Sequence, residues 1–439
     1  MRRRFQALGM LALLAVAALA AAWLIWQLAT RGDSGSEAAV AGELAAPASA
    51  GQPQIERGAY LARAGNCMGC HTARGGAPYA GGRPIETPFG AVFSSNLTPD
   101  MATGLGRWSV ADFWRALHHG RSRDGRLLVP AFPYPNYTVV TRDDSDALFA
   151  FLQSLPAAAQ ANQAHSLRFP YGSQAALAIW RALYFEPAGD RPEPYAGPAP
   201  SAEAERGAYL VQGLGHCSAC HGARNALGAT ERGLGLAGGL IPVQNWYAPA
   251  LTLAHEAGVG RWPTDDIVAL LQHGVSPQAS VAGPMAEVVL GSTQYLSDAD
   301  LRAMAAFLKT IETPGVSLPA VVRPAADGDR QRAAKLYEQH CAACHGADGG
   351  GVAKAYPALA GNRAVTMGQT VNLVQVVLHG GYPPATAGNP RPFGMPPFVL
   401  TLGNAEIAQV LTHIRQSWGN QASAVTAVEV NGIRANRGR

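Results

Sequence analysis

From about residue 54 to residue 420 the chain alternates short blocks, in which apolar side chains recur at i, i+3, i+4 spacing, with polar stretches rich in Gly and Pro. That pattern predicts amphipathic helices joined by long irregular loops. The clearest blocks are "SVADFWRALHHG" (109–120) and its equivalents "PTDDIVALLQHG" (263–274) and "TVNLVQVVLHGG" (370–381). A second set closes each region: "DDSDALFAFLQSL" (143–155), "SDADLRAMAAFLKTI" (297–311) and "GNAEIAQVLTHIRQSW" (403–418). Ser or Asp opens several of them and Gly ends the first set, as helix capping requires. No convincing run of period 2 stands out, so the expected fold class is all-α.

One stretch breaks the amphipathic rule. Residues 5–29 carry no charge, follow "MRRR" and end at Arg31, Asp33 and Glu37. About 20 apolar residues suffice to cross a bilayer, whereas a secretory core is about 7 to 15 long. The expectation is therefore an N-terminal anchor in the inner (cytoplasmic) membrane. Trp23 and Trp26 sit at its interface, the N-terminus is cytoplasmic and the bulk of the chain faces the periplasm. A cleaved signal peptide, using the Ala-rich run 17–22, is the alternative.

Internal repetition sets the organisation. "ERGAYLARAGNCMGCHT" from Glu56 recurs as "ERGAYLVQGLGHCSACHG" from Glu205 and, more loosely, as "RAAKLYEQHCAACHG" from Arg332. "NLTPDMATGLGRW" (96–108) superposes without gaps on "ALTLAHEAGVGRW" (250–262). A period above 100 residues means repeated domains rather than a solenoid. The reading is an anchor at 1–31, a linker at 32–53, a first domain at 54–157 and a connecting segment at 158–200. A second domain at 201–313, a linker at 314–329, a third domain at 330–420 and a tail at 421–439 follow. Within the connecting segment, "AALAIWRALYF" (175–185) is apolar along one face with Arg181 interrupting it, and suits either a partner- or membrane-facing helix or an interdomain packing helix. The chain has 439 residues and a formal net charge of only +4, so composition gives no reason to propose nucleic acid as a partner.

All six cysteines fall in three C-x-x-C-H motifs: Cys67, Cys70, His71; Cys217, Cys220, His221; Cys341, Cys344, His345. On a helical turn the two sulfurs share a side and can form thioethers to the two vinyl groups of a haem, with the adjacent imidazole presented to its iron. Zinc is disfavoured because structural pairs usually lie about 15 to 20 residues apart, and these first cysteines are separated by 150 and 124 positions. A redox dithiol would not require His after every pair. Three haem c groups are therefore expected. A thioether opposite His suits electron transfer, and Met285 and Met395 stand 64 and 50 residues beyond their histidines, each in a Pro/Gly loop. There is no G-x-G-x-x-G after a strand and no phosphate-binding loop, so substrate oxidation would belong to another chain.

The stretches "ERGAYL…CxxCH", "NLTPDMATGLGRW", "VPAFPYPNY", "GPMAEVV", "FGMPPF" and "IRQSWGN", in this order over about 55–420, resemble the three-haem cytochrome c subunit of bacterial membrane-bound periplasmic dehydrogenases, which oxidise alcohol, gluconate, sorbitol or aldehyde. The resemblance implies three tandem class I cytochrome c domains and a partner large subunit of flavin, quinone or molybdenum-cofactor type. It also implies passage of electrons to ubiquinone in the respiratory chain. One position departs from the family: Phe132 stands where the pattern has methionine, 61 residues after His71. Met101 and His118 are the candidate substitutes for the sixth ligand of the first haem, and an iron without a protein ligand there is the third possibility. The rival functions are a multihaem peroxidase-like enzyme working at that haem and a free-standing or oxidase-linked carrier.

Overall fold

The computed structural model describes residues 51–188, 201–230, 235–312, 327–353 and 355–436, together with Val16, Leu19, Ala20, Ala22, Trp23 and Gln27. Most of the two expected linkers, 32–53 and 314–329, and residues 189–200 of the connecting segment therefore lie outside the described residues. The chain divides into two compact units, residues 1–61 with 70–193, and residues 62–69 with 194–439.

Residues 51–188 run α1 (Gln52–Ala64), α2 (Cys67–Cys70), β1 (Pro84–Thr87), β2 (Gly90–Phe93), α3 (Val110–His119), α4 (Tyr134–Tyr137), α5 (Arg142–Gln153), β3 (Ser166–Leu167) and α6 (Gln174–Tyr184), with residues 62–69 of this run grouped with the second unit. Helix α3 starts where the sequence predicts. Ser109 accepts from the Asp112 N–H while Asp112 accepts from the Ser109 N–H, a capping box, and Gly120 ends the helix in the left-handed region. Helices α1 and α5 cross at Gly58, where a Cβ would lie 1.9 Å from the Ala147 carbonyl oxygen. Only glycine permits that approach. Arg57 secures the crossing by donating to buried Asp144 at 2.7 Å. Arg181 in α6 does not interrupt an apolar face: it is 1% exposed, donates to the His119 carbonyl and lies 4.3 Å over the Phe185 ring. The charge is the helix's tie to the unit.

The second unit opens with the same device. Helix α7 (Ala202–Ala208) meets α11 (Asp298–Thr310) at Gly207, 1.9 Å from the Ala303 oxygen by the same measure. Arg206 donates twice to Asp300 at 2.9 Å. Between them lie a π-helical turn (Tyr209–Leu214), α8 (Ser218–His221), β4 (Gly239–Ile241), β5 (Trp246–Ala248), α9 (Thr264–His273), α10 (Pro284–Gly291) and a 3-10 turn (Thr293–Tyr295). The π turn has a sequence cause. Glu56 precedes its first cysteine by 11 positions and Glu205 by 12, and a π turn takes up one extra residue without ending the helix.

The third segment comprises α12 (Asp327–His340), α13 (Ala342–His345), α14 (Arg363–Thr366), α15 (Val371–His379), α16 (Asn404–Gln416) and α17 (Ala427–Ala435). Its core joins Tyr337, Val374, Leu378, Ile407, Leu411 and Val430. Helix α17 occupies what the sequence suggests is a tail; Arg434 pins it by donating to the Val399 and Leu402 carbonyls. This segment docks on the second through α15. Asn372 accepts from the Tyr247 N–H at 2.8 Å and donates to its carbonyl at 2.6 Å, so one side chain satisfies both groups of a β5 residue. Gln375 adds a bond to the Asn245 carbonyl at 3.0 Å.

Two expectations need correction. The fold is helix-rich but not purely α, since β1–β2–β3 and β4–β5 form small antiparallel sheets. Strands of two to four residues are too short to imprint a period-2 pattern. The inner-membrane localisation is overturned as well: among the described residues no helix is long and apolar enough to cross a membrane. The longest of the numbered helices, α12, has 14 residues, about 21 Å at roughly 1.5 Å per residue, short of a hydrocarbon core of about 30 Å. The six described positions between residues 16 and 27 are helical; the rest of the expected 5–29 span lies outside the described residues.

Candidate functional site

Each C-x-x-C-H motif sits on a single helical turn, α2, α8 or α13, at the end of an amphipathic helix. The histidines share one feature beyond sequence. His71 Nδ1 lies 2.7 Å from the Ser95 carbonyl oxygen, His221 Nδ1 2.7 Å from that of Pro249, and His345 Nδ1 2.9 Å from that of Pro357. With the proton on Nδ1 donated to the carbonyl, Nε2 keeps its lone pair free for a metal. Burial pushes the pKa of His71 and His221 down, against the opposing effect of those carbonyls. The imidazoles are thereby held neutral, as iron ligation requires.

These three carbonyls are the contribution that sequence reasoning missed. Each belongs to the residue two before a leucine, in Ser95-Asn96-Leu97, Pro249-Ala250-Leu251 and Pro357-Ala358-Leu359. The first two triplets overlap the aligned repeat, so its position was visible. A backbone carbonyl has no residue-type signature, so its role was not.

Two of the cysteines, one in each motif of the second unit, are held protonated. Burial, followed by the neighbouring Cys220, pushes Cys217 up to about 12; burial and then Cys344 push Cys341 up to about 11. A reactive dithiol needs the opposite shift. Neutral thiols facing a cavity suit addition to vinyl groups.

In the second unit one cavity of about 1370 Å³ reaches both motifs. His221 and Met285 line it, and so do His345 and Met395. Sites for a single small ligand span about 300–1,000 Å³, so the space suits two large groups side by side. Backbone geometry fixes both methionines. Met285 is the second residue of α10, after Gly283, whose φ is 56° and whose absent side chain leaves room for the Trp246 ring. Met395 exchanges both backbone hydrogen bonds with Gly381, at 2.9 and 3.1 Å. Trp262 also lines the cavity. Trp114 does not correspond to a lining position; it stacks on His118 at 4.0 Å.

The first site differs. Phe132 is half-buried, its ring 5.4 Å from that of Tyr137, in a loop where its N–H bonds the Val129 carbonyl at 3.0 Å. Met101 is 59% exposed. His118 is 3% exposed, its Nε2 without a hydrogen-bond partner. Burial and then adjacent His119 push its pKa down to about 3, against the Val140 backbone. Its register sets its direction. The cavity-lining residues of α9 are Ile267, Leu270 and Leu271, and those of α15 include Leu373, Val376 and Val377. Their counterparts on α3 are Phe113, Ala116 and Leu117. His118 matches Gln272 and Leu378, which do not line the cavity, and Leu378 is part of its segment's packed core.

Among the described residues no group of three or more His, Cys, Asp and Glu side chains could hold a metal ion by itself.

Comparison with known proteins adds the following. The cytochrome c family profile matches residues 55–156, 204–312 and 331–418. The chain is 39% identical over 398 residues to the cytochrome c subunit of a quinone alcohol dehydrogenase from Gluconacetobacter polyoxogenes, covering 87% of this chain and 84% of that one. It is 38% identical over 403 residues to the gluconate 2-dehydrogenase cytochrome c subunit of Pantoea cypripedii, covering 87% and 89%. The fructose dehydrogenase cytochrome subunit of Gluconobacter japonicus is 34% identical over 417 residues, covering 89% and 84%.

Proposed function

Because this chain belongs to the cytochrome c family, with three cytochrome c domains carrying three haem c groups, we propose that it is the electron-transfer subunit of a dehydrogenase complex. In this reading Cys67 and Cys70, Cys217 and Cys220, and Cys341 and Cys344 form the thioethers. His71, His221 and His345 are the proximal ligands, and Met285 and Met395 close the second and third sites. When bound, each haem supplies a one-electron ferric/ferrous couple.

The protein's own part is positional. The carbonyls of Ser95, Pro249 and Pro357 hold each imidazole in one tautomer and one orientation. The methionine thioethers exclude exogenous ligands and raise the reduction potential. Asn372 and Gln375 hold the third segment against β5, keeping the two sites of the second unit in fixed register. What supports electron transfer above all is the single cavity lined by both His/Met pairs: two haems held there would lie as neighbours, the arrangement that passage of an electron from one to the other needs.

Electrons would enter from a large subunit carrying a flavin, quinone or molybdenum cofactor and leave to ubiquinone. The relatives' alcohol, gluconate and fructose dehydrogenase complexes motivate that assignment. The test is purification from the native source in mild detergent. A co-purifying dehydrogenase subunit whose substrate reduces the haems, with reoxidation by a short-chain ubiquinone, is the expected result. Recovery of the cytochrome alone, with haems that no candidate dehydrogenase reduces, would defeat it.

A further inference from the structure

We propose that the first haem has no protein ligand opposite His71, and that this open position binds a neutral diatomic molecule, carbon monoxide or nitric oxide, in the ferrous state. The inference rests on the haem attachment proposed above and concerns only the distal side of that one site.

The argument is an elimination followed by a positive feature. The histidines and methionines of the described first unit, apart from the proximal His71, are Met101, His118, His119 and His165; Met68 lies within the Cys67–Cys70 turn, and Tyr134 beside Phe132 is buried, which pushes its pKa up to about 12 and keeps its hydroxyl protonated rather than a phenolate ligand. Met101 is solvent-exposed on its turn. His165 is exposed and accepts the Phe93 N–H at 3.2 Å. His119 has counterparts in His273 and His379, whose sites already contain a methionine. His118 falls on the helix face that its counterparts Gln272 and Leu378 turn away from the cavity, and Trp114 stacks on it there.

By its spacing, 61 residues after His71 against 64 from His221 to Met285, Phe132 takes the position of the second repeat's methionine. Its loop is built for rigidity, with Pro130, Pro133 and Pro135 each fixing φ near −65°. Two backbone hydrogen bonds, from the Phe132 N–H to Val129 and from the Tyr134 N–H to Phe132, tighten it. A benzene ring has no lone pair for iron, and it makes the distal side apolar. Such a site admits a small neutral molecule at little desolvation cost, whereas an anion would lose its hydration. The ligand's carbon or nitrogen lone pair forms the new bond to iron; no protein bond breaks and no electron changes hands.

The test uses the full-length holoprotein reduced with dithionite. An alkaline pyridine spectrum first counts the haems, and three per chain is the premise; a smaller number overturns the attachment reading, and this proposal with it. Carbon monoxide titration should then shift the Soret band of one haem in three, at one molecule per chain. Zero molecules per chain with three haems present overturns the proposal and leaves attachment standing; two or three overturn the assignment to the first site. Phe132→Met should abolish the response, and His118→Gln should leave it at one per chain. Loss of carbon monoxide binding in neither variant sinks the assignment. Should Phe132→Met fail to fold, nitric oxide added to the reduced wild type must give one ferrous-nitrosyl spin per chain by electron paramagnetic resonance; none refutes it.

Discussion

Replacing Gly207 by alanine sets two general effects against each other at one atom. In a helix, Gly→Ala is ordinarily stabilising by about 0.5–1 kcal/mol, because glycine loses more backbone freedom on folding. Here the new methyl would lie 1.9 Å from the Ala303 oxygen, 2.5 Å from its carbonyl carbon and 2.9 Å from Phe307 Cβ. Comfortable separations are about 3.5 Å, so α7 and α11 must part by roughly 1.5 Å. Overpacking of this kind costs about 1–3 kcal/mol, and the same movement stretches both Arg206–Asp300 hydrogen bonds. The steric cost wins, with a net loss of about 2 kcal/mol. A multidomain chain has no single unfolding free energy, so the readout is amide hydrogen exchange in α11, where about 2 kcal/mol is roughly a thirtyfold loss of protection. Gly432→Ala is the control, since its Cβ would meet nothing within 4 Å, and it should be neutral or stabilising. Unchanged α11 protection in Gly207→Ala would refute the close-approach argument.

Three further outcomes are expected. Asn372→Ala removes both side-chain bonds to Tyr247; at about 0.5–1.5 kcal/mol each, the Tyr247 amide should exchange about tenfold faster, and equal protection in the variant would remove Asn372's clamping role. Arg181→Met keeps the side chain's length but leaves the His119 carbonyl unpaired, at a cost of about 1–3 kcal/mol, visible as early proteolysis within residues 158–188; resistance equal to wild type counts against the tie. Buried His118, with its pKa lowered from 6.5 to about 3, makes stability pH-dependent. Above pH 6.5 it is neutral folded or unfolded and contributes nothing; between 6.5 and about 3 only the unfolded chain takes the proton, so stability falls as pH drops, by up to about 1.4 kcal/mol per unit. His118→Gln should flatten the acid limb of a stability–pH curve for the first domain, and an unchanged slope would mean the imidazole is accessible to protons.

The long periodic blocks were readable because their signals reinforce one another. The 109–120 block carries its own N-cap, Asp112 and C-terminal glycine, and α3 begins and ends on them. The C-x-x-C-H motifs were equally plain, since that chemistry needs those residue types at that spacing. What escaped was information carried by backbone or by distant packing. The sheets are too short for a period, and the imidazole-orienting carbonyls have no letter of their own. Arg181 looked like a polar fault in an apolar helix because its partner, the His119 carbonyl, becomes its neighbour only in the folded unit. The register that matches His118 to Gln272 and Leu378, which do not line the cavity, likewise became visible only with α9 and α15 in place.

The π turn at Tyr209–Leu214 shows how one fold tolerates two spacings. If the second segment arose as a copy of the first, a single inserted codon between its glutamate and its first cysteine would have rotated everything downstream by about 100° in a regular helix. Instead the backbone widened for one turn, so that Gly207 still faces Ala303 and His221 still meets the Pro249 carbonyl. The extra residue is thus taken up between two contacts that both repeats share, and neither contact is disturbed by it.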